Sequence, residues 1–280
     1  MAYPILSIYE FGEQLLLTKD IDPVYVALEN SGWSKVTKAR WCLAYWCLYN
    51  AGVASYIAED EAEFWRRLRL AADNTTPAPT GGRWPRGKER RHWRGEQALF
   101  SYMDLLKRYA REPEAFVATV GSMNTFEQSP LAFKAVSDRV QEHTGFGPWM
   151  AFKIADMLEQ VFHVPVNFDN AAVFMFKDPK EAALRFWRRQ LKLPEMAKPR
   201  NERESINSVV AHLTGFFDGF DAPNGRRKVG LQEIETILCK WKSHENGHYP
   251  PGNDLHELRS GLQPWVPHSK LAAQLLECVP

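Results

Sequence analysis

His143-Thr-Gly145-Phe-Gly147-Pro148-Trp-Met-Ala151-Phe-Lys-Ile-Ala155, followed one helix length later by Val164-Pro165-Val166-Asn167-Phe168-Asp169, is the stretch that decides the fold. Two glycines around one apolar residue let the backbone turn tightly between two helices, and Pro148 stands where a first helical residue tolerates a missing N–H. The hairpin then presents the orphan amides of a helix N-terminus, with the positive end of the helix dipole behind them. Such a site takes one phosphate of a nucleic-acid backbone without reading its sequence, which makes Gly145 and Gly147 candidate DNA-binding residues. Ala151 and Ala155, one turn apart, let the second helix pack closely. A plainer alternative stands beside this: the glycines end one helix and start another, and Asp169 caps a helix beginning near Asn170.

The arrangement resembles the helix-hairpin-helix of the DNA glycosylase superfamily, in which an apolar-x-Gly-apolar-Gly turn and helix lead to an aspartate at the mouth of a base-binding pocket. Asp169 matches that aspartate and is the candidate catalytic residue. His143 departs from the usual aliphatic residue before the hairpin. Trp149 and Met150 stand where bifunctional members carry a catalytic lysine, which argues against a Schiff-base lyase.

Working outward, helical periodicity dominates. Asp22-Pro23 starts a short helix ending near Gly32, and Ser34 caps the next, which carries Val36, Ala39, Leu43, Trp46 and Cys47 on one side and stops near Gly52. Further helices are expected over 55–72, 97–111, 127–142, 148–162, 170–176, 179–190, 203–216 and 230–243. Only Val164 to Phe168 alternates as a strand does, over too short a run to seed a sheet. The expected fold class is all-α, a helix-hairpin-helix DNA glycosylase-like helical bundle. It is read as one domain over 1–280, with room for two subdomains, a basic loop at 73–95, the hairpin at 143–155 and a C-terminal cluster at 235–254.

With 45% hydrophobic residues in 280, the chain can form a proper core. No apolar run approaches the roughly 20 residues that span a bilayer, and the first residues lack a secretory pattern, so a cytoplasmic protein with no membrane partner is expected. Cysteines 42, 47, 239 and 278 form no C-x-x-C pair and are expected to be reduced thiols without an iron–sulfur centre. Net charge is +1, but residues 83–94 hold Arg83, Arg86, Lys88, Arg90, Arg91 and Arg94 against Glu89 alone.

That basic run, Gly81-Gly-Arg83-Trp84-Pro-Arg86-Gly-Lys88-Glu-Arg90-Arg91-His-Trp93-Arg94-Gly95, mixes guanidinium forks with two tryptophans and flexible glycines. Several forks together suit a polyanion. Trp84 and Trp93 offer faces for an extruded base, and Lys88 a contact to DNA. The bland alternative is a solvated charged loop. Later, Asn201 is placed to cap a helix with Glu204 at its third position. Glu235 to Asp254 is dense in reactive groups. Cys239, His244 and His248 lack a further ligand at zinc spacing, so no metal is expected. Lys240, Lys242 and His244 are read instead as flanking a cleft where they hold an anionic leaving group.

Together, the Trp84-to-Gly95 loop, the hairpin with Asp169, and Cys239-Lys-Trp-Lys-Ser-His244 with Tyr249-Pro-Pro-Gly252 resemble the bacteriophage amino acid:DNA transferases, also described as α-glutamyl/putrescinyl-thymine pyrophosphorylases. The resemblance spans roughly residues 35 to 260. It implies a transferase acting on double-stranded DNA whose 5-hydroxymethyluracil is already activated as a pyrophosphate ester. An amino acid or polyamine then displaces the pyrophosphate, with no cofactor and by a monomer. The reacting methylene lies inside a stacked duplex, so the base must be flipped out. Arg86, Arg90, Arg91 and Arg94, with Lys240 and His244, are the expected pyrophosphate ligands. Asp169 would accept the amine's proton or orient it. The alternatives are a monofunctional DNA glycosylase and a non-catalytic DNA-binding protein of the same hairpin class.

Overall fold

A computed structural model describes residues 3–87, 95–122, 130–168, 176–191 and 201–280. Among the described residues the fold is all-α apart from one two-residue strand pair, and the chain divides into two compact units, each discontinuous in sequence. The first comprises residues 1–23 and 168–255, the second residues 24–167 and 256–280.

In the first unit, α1 (Ile8–Leu17), α10 (Lys177–Arg189), α11 (Glu202–Phe216) and α12 (Leu231–Glu245) enclose one apolar core. Ser7 and Glu10 close a capping box at the start of α1, satisfying two orphan amides reciprocally. Asn201 caps α11 as the sequence predicts, its Oδ1 accepting the Glu204 amide at 3.0 Å. Phe11, Phe186, Phe217 and Trp241 are fully buried where these helices meet. Burying each is favourable by roughly 3 kcal/mol. Gly12 is required by this packing, because a Cβ there would stand 2.4 Å from the Phe217 ring.

The second unit is built around α3 (Lys35–Leu48), capped by Ser34, whose Oγ accepts the Thr37 amide at 3.1 Å. Every residue from Lys38 to Leu48 is buried, whereas Val36 is exposed. The one-sided face expected from the sequence is thus corrected: α3 is covered nearly all round, as a central helix is. Its two tryptophans keep their N–H groups satisfied, Trp41 on Ser55 Oγ at 2.9 Å and Trp46 on Met157 Sδ at 3.0 Å. Arg40 is neutralised by Glu61 at 3.0 Å. Around α3 lie α2 (Pro23–Asn30), α4 (Ala51–Ala58), α5 (Phe64–Asp73), α6 (Glu96–Tyr109), α7 (Ala115–Val120), α8 (Phe133–Gln141) and α9 (Pro148–Phe162). The chain then adds α13 (Asn253–Leu262), a 3₁₀ turn (Gln263–Trp265) and α14 (Lys270–Glu277).

Several expected boundaries move. The single helix read over 55–72 is two, α4 and α5. Asn50 starts α4 by capping Val53, and Gly52 admits Trp265 so closely that a Cβ would lie 2.1 Å from its ring. The helix expected over 127–142 begins at Phe133, after β1 (Leu131–Ala132), which pairs in parallel with β2 (Val166–Asn167). The helix expected over 170–176 lies outside the described residues. Among the described residues no helix is long and apolar enough to cross a membrane. All four cysteines are free thiols, and burial pushes those of Cys42 and Cys47 well above the usual range.

Candidate functional site

The hairpin lies in the second unit and joins α8 to α9 as the sequence predicts. Gly145 takes φ +90°, a region closed to most L side chains, while Gly147 is the extended N-cap and Pro148 the first residue of α9. Phe146 between them is 3% exposed and packs on Phe116, so the turn is nailed to the core by its middle residue, with Gly145 half-buried and Gly147 exposed. A Cβ at Gly147 would meet open space. The Ala151 amide bonds back to the Gly147 carbonyl, which leaves the helix start at an exposed surface.

His143 is buried behind the turn. Its Nδ1–H donates to the Arg139 carbonyl at 3.0 Å and its Nε2 pairs with the Tyr109 hydroxyl at 2.8 Å. Burial, with Arg108 nearby, holds its pKa below the ordinary histidine value, so the ring is a neutral brace. Asp104 on α6 accepts the Thr144 amide at 2.8 Å and the Arg108 Nε–H at 3.0 Å. Burial alone would raise the Asp104 pKa, but the Thr144 amide and Arg108 outweigh it and hold the carboxyl below its usual value. Arg108 in turn donates to the Glu142 carbonyl at 3.0 Å. The hairpin is therefore braced by α6 at three successive residues.

The basic loop is described only as far as Gly87. Arg83 is exposed. Trp84 is 3% exposed, its Nε1–H donates to the Thr76 carbonyl, and its ring packs against Trp265 and Tyr56. The expectation that Trp84 offers a stacking face to a base is corrected: the ring is a core element. Arg86 Nη2 donates to the Ala71 and Ala72 carbonyls at 2.9 and 2.8 Å, closing the C-terminus of α5. Helix ends need such donors. Arg86 thus anchors the loop to the end of α5. Lys88, Arg90, Arg91, Trp93 and Arg94 lie outside the described residues, as does Asp169. The strand that leads toward Asp169 is fixed by the parallel pairing of Val166 with Leu131.

The C-terminal cluster belongs to the first unit, and the structure corrects its reading too. His244 is fully buried: Nε2 accepts the Leu6 amide at 2.9 Å, Nδ1–H donates to the Tyr249 carbonyl at 2.8 Å, and Phe11 and Tyr3 stack on the ring. Both nitrogens are committed, so the imidazole has none left for a pyrophosphate. Lys240 binds Asp254 Oδ2 at 2.6 Å and the carbonyls of Asp20 and Ile21. Burial draws the Lys240 pKa down, but Asp254, Asp22 and Asp20 more than offset this and hold it above the ordinary lysine value. Asp20, with no exposed surface, accepts the Gly252 and Leu255 amides at 2.8 and 2.9 Å and so caps α13 from outside. Lys242 is held by Asp178 and Glu181 of α10. The density of reactive groups here reflects a staple between the N-terminal segment and α12.

Sequence reasoning missed a polar group on α9, where Lys153, Asp156 and Gln160 are 6, 2 and 3% exposed. Their spacing of three and four residues puts them on one side of the helix, and Tyr25 donates its hydroxyl to Asp156 Oδ2 at 3.0 Å. The signal available was charged residues at positions the apolar period assigns to the core. Among the described residues no cluster of metal-ligating side chains is found.

An exposed helix start behind a glycine turn and an arginine-rich sequence are features suited to a nucleic-acid backbone. Residues 13–248 match the family described as amino acid:DNA transferase, and the chain belongs to that family. It is similar to the glycinyltransferase of Pseudomonas phage PaMx11, 48% identical over 291 aligned positions that cover 99% of this chain and 97% of the relative. It is also similar to the putrescinyltransferase of Delftia phage PhiW-14, 23% identical over 88% of this chain and 74% of the relative. The protein is a transferase of DNA modification that transfers an amino acid or amine.

Proposed function

We propose that the protein attaches glycine, through its amino nitrogen, to the 5-methylene carbon of pyrophosphorylated 5-hydroxymethyluracil in duplex DNA, on a helix-hairpin-helix glycosylase-like scaffold and in the host cytoplasm. The observation that carries this is the near full-length likeness to a phage glycinyltransferase. The amine nitrogen attacks the methylene, a C–N bond forms, the C–O bond to pyrophosphate breaks, and the ammonium gives up a proton. The base must leave the stack for this, at a cost of a few kcal/mol.

The hairpin at Gly145 and Gly147 takes a backbone phosphate, which positions the duplex without reading it. Arg90, Arg91 and Arg94 hold the departing pyrophosphate, whose charge grows in the transition state. Trp93 stacks on the base and Lys88 contacts the strand. Asp169 accepts the amine's proton or anchors it as a cation. With Lys240 and His244 engaged in the fold, we assign the leaving-group site to the arginines of the loop.

The test supplies DNA bearing the activated base together with a pool of amines that includes glycine, and identifies the product nucleosides by mass. A glycine adduct, pyrophosphate release that needs an amine, and no alkali-labile sites are expected. Free modified uracil appearing without amine would replace this reading with a glycosylase. Asp169→Asn is expected to abolish most turnover while DNA affinity stays within about twofold, since it removes charge and keeps shape.

A further inference from the structure

Phe100 and Met103 stand 59% exposed on α6, three residues apart and therefore on one face. The opposite face is anchored through Ala98, Tyr102, Leu105 and Tyr109, so the two side chains are held outward on a rigid support. Asp104, one turn beyond Phe100 on the same side, is the residue that accepts the Thr144 amide, and Arg108 follows to Glu142. The apolar pair consequently sits about one helical turn, roughly 5–6 Å, from the side chain that braces the hairpin. Gly95, at φ +56°, opens α6 directly after the arginine-rich run.

Between the exposed carboxylates at its two ends, Glu96 and Glu112, this face carries the exposed Lys107, with Arg111 just past the last helical turn and Asp104 already neutralised by Arg108. Large apolar side chains held outward beside phosphate-binding groups are what proteins use to press on sugars and to part base steps. We propose that the outer face of α6 docks on duplex DNA beside the hairpin, with Phe100 and Met103 wedged against the groove and Lys107 and Arg111 on phosphates. This rests on the reading above that the chain acts on duplex DNA.

The test measures fluorescence anisotropy of an unmodified duplex and, in parallel, the emission of a duplex carrying 2-aminopurine, which brightens when its base unstacks. Compared are the wild-type chain, the Phe100→Ser/Met103→Ser double variant, and Leu17→Ser, which removes a still more exposed apolar group from the other unit. The double variant is expected to lose about tenfold in affinity, as two lost apolar contacts imply, and to lose the 2-aminopurine response. Leu17→Ser is expected to change neither. In the single variant Phe100→Trp, the indole emission is expected to quench on adding DNA.

Wild-type binding matched by the double variant, with the same 2-aminopurine response and no quenching in Phe100→Trp, would overturn the proposal and leave the DNA reading standing. No binding by the wild type would remove both. A wild-type dimer that the double substitution splits, with DNA affinity unchanged, would assign the face to a second copy of the chain instead.

Discussion

Replacing Lys240 by Met keeps the stem of the side chain and removes only the ammonium. That group binds Asp254 Oδ2, the Asp20 carbonyl and the Ile21 carbonyl, beside the fully buried Asp20 carboxylate. Its loss leaves buried oxygens without a donor and a carboxylate without a countercharge, and breaking such a pair costs about 3–5 kcal/mol. For a chain of this size that corresponds to a fall in Tm of roughly 10 °C. The assay is scanning calorimetry at pH 7 and again in mild acid. In the wild type, burial already raises the Asp20 pKa despite Lys240. A raised carboxyl contributes most stability below its unfolded value, about 3.9, and loses it as pH rises through the folded one. Without the ammonium that pKa rises further, so the variant's deficit is largest at neutral pH and shrinks as Asp20 takes up a proton. A deficit under about 1 kcal/mol at pH 7, or one that does not narrow in acid, would refute the reasoning.

Asp104→Ala removes the acceptor of the Thr144 amide and is expected to weaken duplex binding, read by anisotropy. Because the folded Asp104 pKa is depressed, its contribution to wild-type stability is full above about pH 4 and lost as pH falls through the folded value, a slope the variant should lack. His143, whose folded pKa is also depressed, gives stability that is full above about pH 6.5 and falls below it; His143→Gln is expected to flatten that slope in denaturant melts. Gly145→Ala places a Cβ at φ +90° and is expected to cost about 1 kcal/mol or more in urea melts. Gly52→Ala drives a Cβ into Trp265 and the Gly261 carbonyl and is expected to cost about 1–3 kcal/mol.

Local chemistry was legible where it acts over a few residues. Gly145, Gly147 and Pro148 force a turn and a helix start whatever surrounds them, and Ser34, Asn201 and Glu204 carry their capping partners within three positions. The helix over 148–162 follows from that start together with its apolar period. The family, too, was carried by short motifs, and residues 13–248 bear it out. What the sequence could not decide were the partners of long side chains. Lys240 meets Asp20, and His244 meets Leu6, across more than 200 positions, and nothing local separates a histidine whose two nitrogens are both committed from one that is free to bind an anion. Trp84 looked like a stacking face because it sits among arginines, yet its ring meets Trp265 only when a distant segment folds over it. Backbone conformation is set by neighbours in the chain. The destination of a charge or a ring is set by which side chains tertiary packing brings to it, since burial fixes the cost of leaving a polar group unpaired.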